Sequence, residues 1–303
     1  MYNTILIAGA TGNLGGKIVN ELLKKGANVR AIVRFGTNLE KINLLQAKGI
    51  SVFEVDMTNK NAVAKVCAGV NCVVSALSGL EESIIDTQKV LLDAAVLAKV
   101  PRFIPSDYAI DFTNLVPGTN RNLDLRRDFH QYLNKAPIKA TTIFNGPFMD
   151  LLTGDMPLLL LKINRVLYWG KSNQVLDFTT TYNVAEFTAN VALDSETPRF
   201  LKISGDRKSP KELVPLMSKL TGKEFKLLRA GSIGLLNIII NIAKTLTKKS
   251  NELYPVWQGM QYMRDMMEGR AEIEVYDNNR YLDMKWTSIE EYLVAEKVGI
   301  NKP

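Results

Sequence analysis

The residues best suited to chemistry stand near the start of the chain. Gly9-Ala10-Thr11-Gly12-Asn13-Leu14-Gly15 lies between the apolar run Thr4–Ala8 and a helical period that begins at Leu14. This Gly-x-x-Gly-x-x-Gly turn is a variant of the dinucleotide fingerprint. Its glycines let the chain turn sharply, let backbone approach a diphosphate, and let the helix pack on the strand. The N–H groups at the helix start then face the phosphates. The plain alternative is a tight structural turn with no ligand. Arg34 follows at the end of the next β-branched run, Ala31-Ile32-Val33-Arg34. NAD-binding folds carry an acid near this point for the ribose 2′-hydroxyl, and a basic residue accommodates the 2′-phosphate of NADP. No Asp or Glu occurs from Val29 to Leu39. Arg34 can pair with a phosphate bidentately, and Lys41 is a second cation nearby. NADP(H) is therefore the expected cofactor. Asp56, followed by Met57, ends the third apolar run, where it can accept from the adenine amino group. Ser75-Ala76-Leu77 ends the fourth, where small residues let a cofactor lie across the sheet edge.

These residues need a scaffold, and the first half of the chain supplies one. Strand-like runs at Thr4–Ala8, Val29–Val33, Val52–Val55, Cys72–Ala76, Arg102–Ile104 and Thr141–Phe144 alternate with helix-period stretches. The longest of those stretches is Ser83–Lys99. Strand–helix alternation implies a parallel sheet covered on both faces, hence an α/β fold with a doubly wound, Rossmann-type sheet. After Asn145-Gly146-Pro147 the pattern loosens. Val166–Gly170 reads as a strand returning toward the sheet, Asn183–Leu193 as a helix and Phe200–Ile203 as a further strand. The expected organisation is an NADP-binding domain over residues 1–150, with 164–204 returning to it. Residues 151–163 and 205–303 then form a smaller, mostly helical C-terminal substrate domain. Ser209…Glu212 and Thr287…Glu290 have capping-box spacing, and Pro210 suits a first helical position. Six of the ten methionines lie beyond Arg207, as adaptable core or as a malleable wall over a substrate.

Composition limits the partners. The 303 residues are 46% apolar and 23% charged, with 38 Lys plus Arg against 31 Asp plus Glu. This is ordinary globular composition. The net charge of +7 suits an anionic ligand, but there is no basic block of the kind that makes a nucleic-acid tail. The opening residues Met1–Ile7 lack a basic n-region and a long apolar core, so no signal peptide is expected. The most apolar stretch, Ile233–Ala243, is interrupted by Asn237 and Asn241 and flanked by Lys244, Lys248 and Lys249. It is shorter than the about 20 apolar residues a spanning helix needs. It reads as a helix lining a substrate cavity or a dimer face, with an interfacial helix as the alternative. Cys67 and Cys72 suit neither a disulfide framework nor a zinc site, which fits a reducing cytoplasm. His130, the single histidine, reads as an exposed helix residue, and no metal site is expected.

With these residues in place, the chain resembles the NmrA-like and isoflavone-reductase-like atypical short-chain dehydrogenases. The resemblance rests on Ile7–Gly15, Arg34, Val73–Leu77, Arg102-Phe103-Ile104-Pro105-Ser106-Asp107-Tyr108, Phe144-Asn145-Gly146-Pro147-Phe148 and Ile203–Asp206. It implies an NADP(H)-bound Rossmann domain and a smaller domain closing a substrate cleft. It also implies that Ser106–Tyr108 and Phe144–Phe148, with Gly146 and Pro147, line the nicotinamide side. The Tyr-x-x-x-Lys pair of ordinary short-chain dehydrogenases does not follow the fifth strand. Tyr281…Lys285 has the spacing in the wrong context. Aromatic-alcohol reductases of the family carry a lysine on the helix before the strand Thr141–Phe144, and ungapped counting puts Arg126 there. Arginine is a poor proton donor or base; Arg126 either holds a carbonyl oxygen or cofactor phosphate, or is a surface charge beside Arg127. Tyr108 either donates to a developing alkoxide or packs on the nicotinamide. Asp107 reads equally as a helix or turn cap. Phe148, Met149, Trp257 and Tyr262 are apolar walls or core.

The leading expectation is an NADPH-dependent reductase of a small apolar or aromatic carbonyl, enone or quinone-like substrate, acting by direct hydride transfer. The alternative is an NADP(H)-sensing regulatory protein without turnover. An isomerase or epimerase holding its cofactor is a third reading, which the lack of a Tyr/Lys pair disfavours. The expected partner is a small molecule, with no nucleic acid and no membrane span, in a monomer or homodimer.

Overall fold

The computed structural model describes residues 3–154, 158–247 and 252–298. Met1 and Tyr2 of the opening segment, residues 155–157, and Lys248 and Lys249 beside the apolar stretch lie outside the described residues. The first half alternates β1 (Thr4–Ala8), α1 (Asn13–Lys24), β2 (Asn28–Arg34), α2 (Leu39–Gln46), β3 (Ser51–Val55), α3 (Lys60–Cys67) and β4 (Cys72–Ser75). A π-helical turn, Glu82–Thr87, leads into α4 (Gln88–Leu97). β5 (Arg102–Ile104), α5 (Arg121–Leu133), β6 (Lys139–Ala140) and β7 (Thr142–Phe144) follow.

β1 to β6 form one parallel sheet in the order β3-β2-β1-β4-β5-β6. Alternate side chains feed opposite layers. Ile5 and Ile7 of β1 join the core under α1, and Leu6 and Ala8 join the core under α3, α4 and α5. The long helix expected from Ser83 begins with the π turn, which changes its register before α4 continues it.

The second half contains β8 (Leu159–Leu160), β9 (Arg165–Trp169), β10 (Leu176–Phe178), α6 (Thr181–Leu193), β11 (Phe200–Lys202) and β12 (Asp206–Lys208). Then come α7 (Pro210–Thr221), β13 (Lys226–Gly231), α8 (Ile233–Leu246), α9 (Val256–Glu268) and α10 (Ile289–Ala295). β9, expected to rejoin the main sheet, instead pairs with β13 and β8 in a separate three-stranded sheet. Its buried Val166 joins the core of the second half. β11 pairs in parallel with β7 in a two-stranded sheet of its own, and α6 packs against α1. A third core gathers Phe112, Phe144, Met149 and Met217 with Met263, Met266 and Met267 of α9 and Ile289 and Leu293 of α10.

Local caps explain several boundaries. Ser209 and Glu212 close a capping box with Pro210 at the helix start. The second box starts at Ser288 with Glu291, one residue later than the Thr287 spacing suggests. Cys67 ends α3 and Cys72 begins β4; both thiols are free and buried, and burial pushes each up to about 12. Among the described residues no helix is long and apolar enough to cross a membrane.

Candidate functional site

The parallel register brings the chemistry-bearing residues to one edge. Ala8 stands beside Ile32 and Ser75, Arg34 beside Val55, and Val74 beside Ile104. The glycine turn, Arg34, Asp56, Ser75–Leu77 and Ser106–Tyr108 therefore all leave the sheet at its carboxyl edge, where α/β folds bind ligands.

Close packing explains two of the three glycines. Gly9 has φ +89°, and a Cβ there would lie 2.4 Å from the Ala76 carbonyl oxygen. A Cβ on Gly15 would lie 2.1 Å from the Gly9 carbonyl oxygen, because α1 rests directly on the turn. Gly12 donates its N–H to the Gly9 carbonyl at 3.0 Å and caps α1 with no side chain. The helix start is thus open to an anion, with Gly12 and Asn13 exposed and Thr11 and Leu14 half-buried. Asn13 accepts from the Lys17 ammonium.

Arg34 is exposed at the end of β2, and its guanidinium takes part in no hydrogen bond or ion pair among the described residues. Asp56 accepts from the Thr58 N–H at 2.9 Å and hydroxyl at 2.7 Å, both through Oδ1. These bonds hold its carboxyl below the usual range and leave Oδ2 free. Met57 is half-buried in the layer of α3. Ser75 is buried at the end of β4 with an unpartnered hydroxyl. Next to it, Leu77 offers its carbonyl to the Ser106 hydroxyl at 2.5 Å.

Two sequence readings change. His130 is buried, and its Nε2 lies 2.6 Å from Oδ2 of Asp107. Asp107 is neither a cap nor exposed. The same oxygen accepts from Thr142 at 2.7 Å, and Thr142 in turn accepts from Arg199 at 2.7 Å. Burial alone raises the Asp107 carboxyl, but the His130 contact, Thr142 and the Arg126 charge outweigh it and hold the carboxyl low. His130 faces inward because the stripe of α5 that carries Phe129 and Leu133 packs on the sheet. One histidine among polar neighbours gives no periodic signal of this.

The candidate catalytic residues divide. The Tyr108 hydroxyl is buried and unpartnered. Burial drives it far above its usual range. The ring belongs to the core under α1 and α6. Arg126 is half-buried, donates to the Asn122 carbonyl at 2.8 Å, and keeps a buried Nε without a partner. Its charge acts on Asp107 and on Tyr262 of α9, so it stands between the two halves of the molecule. Phe144 ends β7, but its ring turns into the third core, edge-on to Phe112 and stacked on Phe200. Gly146 packs on the Asp177 backbone, and Pro147 is buried. Trp257 is buried with the Arg121 guanidinium over its ring, and Met149 is core. Tyr281 is bonded to Asp194 and Lys285 to Glu291, away from the edge. An open cavity of about 750 Å³, lined by Phe200, Lys202, Arg270, Glu272 and Asp277 among others, includes none of the residues of the glycine turn.

Known proteins share this fold. Residues 1–293 match the NmrA-like family. Pinoresinol reductase 1 of Arabidopsis thaliana is 26% identical over 242 residues, covering 73% of this chain and 75% of that protein. The structure of AtPrR2 with NADP+ and (+)pinoresinol superimposes with a TM-score of 0.80 at 23% identity, covering 99% of each chain. That of an isoflavone reductase gives 0.82 at 22% identity, covering 98% of this chain and all of the other. With its glycine turn, sheet order and near-complete match, the chain belongs to the NmrA-like family.

Proposed function

We propose that this protein is an NADPH-dependent reductase of a small apolar or aromatic carbonyl, enone or quinone-like compound. One observation carries the reading: an uncapped helix start on a glycine turn with no room for side chains shares its sheet edge with an unpaired Arg34. The edge suits a phosphorylated dinucleotide. Gly9, Thr11, Gly12, Asn13, Leu14 and Gly15 cradle the diphosphate. Arg34 pairs with the 2′-phosphate. The free oxygen of Asp56 and the side chain of Met57 border the adenine. Ser75, Ala76 and Leu77 lie under the cofactor, and the Ser75 hydroxyl offers it a bond. Phe144, Gly146 and Pro147 pack the floor beneath. Pinoresinol reductases among the relatives, and a solved neighbour holding NADP+, support the cofactor and the reaction class.

When bound, NADPH supplies the hydride. The chain's own part is to orient the substrate and stabilise charge. Arg126, a permanent cation between the halves, supports a developing oxyanion, while Tyr108 packs and does not donate. A specific observation favours a second reading, a sensor of NADP(H): the Tyr108 hydroxyl is turned into the core and Arg126 is no proton donor. The test mixes purified protein and NADPH with a panel of quinones and enones and follows nicotinamide absorbance. Turnover of a panel member is the expected result. Tight NADPH binding without turnover moves the assignment to the sensor.

A further inference from the structure

The side chain of Gln88 is fully buried at the junction of the π turn and α4, although it is polar. Its Nε2 donates to the Ile84 carbonyl at 2.7 Å, and its Oε1 accepts from the Ser106 N–H at 3.0 Å. Ser106 has left β5, which ends at Ile104, so its N–H has no sheet partner. The Ser106 hydroxyl donates in the other direction, to Leu77 just past β4. The amide thus ties the π turn to the exit of β5, and the Ser106 hydroxyl carries the tie on to the exit of β4. The connection out of β4 is tight, since a Cβ on Gly79 would lie 2.4 Å from the Ser83 hydroxyl. π turns concentrate at functional sites. Here the Gln88 N–H goes to Ile85, and the Ile84 carbonyl accepts from the Gln88 side chain.

We propose that Gln88 is a positioning residue: it locks the exits of β4 and β5 into one rigid shelf for the nicotinamide half of the cofactor. The amide is suited to this because it donates and accepts at once. A carboxylate leaves one of the two buried backbone groups unpaired, and an apolar side chain leaves both. The assignment rests on NADP(H) occupying this edge. The adenosine half is held elsewhere, by Arg34 and the glycine turn, so the two halves of the ligand report separately.

The experiment measures calorimetric binding of NADP+ and of adenosine 2′,5′-bisphosphate, which lacks the nicotinamide half. It compares the wild type, Gln88→Met and Ser106→Ala, each checked by thermal melting. Gln88→Met is expected to weaken NADP+ binding by about tenfold or more, the scale of a mispositioned site. Binding of the bisphosphate should stay within about twofold. Ser106→Ala cuts the tie to Leu77 with Gln88 in place and shows the same selective loss; Gln88→Glu, which keeps the acceptor for the Ser106 N–H and loses the donor to Ile84, carries the test if Gln88→Met does not fold. Equal losses for both ligands, or unchanged NADP+ binding, overturn the positioning role. Wild-type protein that binds neither ligand overturns the cofactor reading itself.

Discussion

Nε2 of His130 stands 2.6 Å from Oδ2 of Asp107, with both side chains inside the protein. The contact joins α5 to the segment leaving β5, and Thr142 and Arg199 extend it to β7 and the approach to β11. The Asp107 carboxyl is held below its ordinary value, so the ionised form is the one the fold prefers. Its contribution is full above the unfolded aspartate range, near about 4, and is lost as pH falls through the depressed native value. Asp107→Ala should cost about 3 kcal/mol at neutral pH, and distinctly less near about pH 3. Urea unfolding at the two pH values checks this, and an equal penalty at both would remove the ionised Asp107 carboxylate as its source.

Gly15 and Gly16 are adjacent in α1 but meet different surroundings. A Cβ on Gly15 collides with the Gly9 carbonyl, whereas one on Gly16 reaches the Ala10 carbonyl oxygen only at 3.4 Å. Gly15→Ala should lose dinucleotide binding and about 2 kcal/mol or more of stability. Gly16→Ala should hold its stability or gain up to about 1 kcal/mol from helix propensity. Melting curves on the two variants decide, and a tolerated Gly15→Ala contradicts the packing described.

Among the described residues the Arg34 guanidinium has no partner to lose, so its replacement reports on ligand. Arg34→Ala should weaken NADP(H) binding by about 10- to 100-fold, the scale of a charge-assisted bond, and leave NAD(H) binding nearly unchanged. Calorimetry with both dinucleotides makes the comparison. Equal losses would refute recognition of the 2′-phosphate by this residue.

The Tyr108 hydroxyl is a buried group with no hydrogen-bond partner among the described residues. Its removal in Tyr108→Phe relieves a desolvation cost, so stability should be unchanged or rise by up to about 1 kcal/mol. Turnover should persist if the phenol is packing. A large fall in kcat with intact folding would restore it as a proton donor.

Much of this layout was readable from residue order, for identifiable reasons. Short buried strands and their helices leave periodic signals, so β1 to β5 fall within a residue or two of expectation. The glycine turn is local chemistry and shows itself directly. The strand Arg165–Trp169 was readable as a strand but not as a partner of β13, because pairing depends on residues more than 50 positions away. His130 and Asp107 were misread although they lie only 23 positions apart. Their burial comes from elements that converge on them, which the residues beside each do not announce. Gln88 left no signal, since a glutamine in a helix ordinarily faces water.

β11 joins β7 from more than 50 residues further along the chain, and α6 covers α1. The polypeptide is therefore braided: a span encoded late finishes the layer begun by the opening residues. A fragment ending near residue 150 would bare the edge of β7 and the oily flank of α1 that Phe187 and Val191 shield. During synthesis, the first half must wait for roughly fifty more residues before its fold can close.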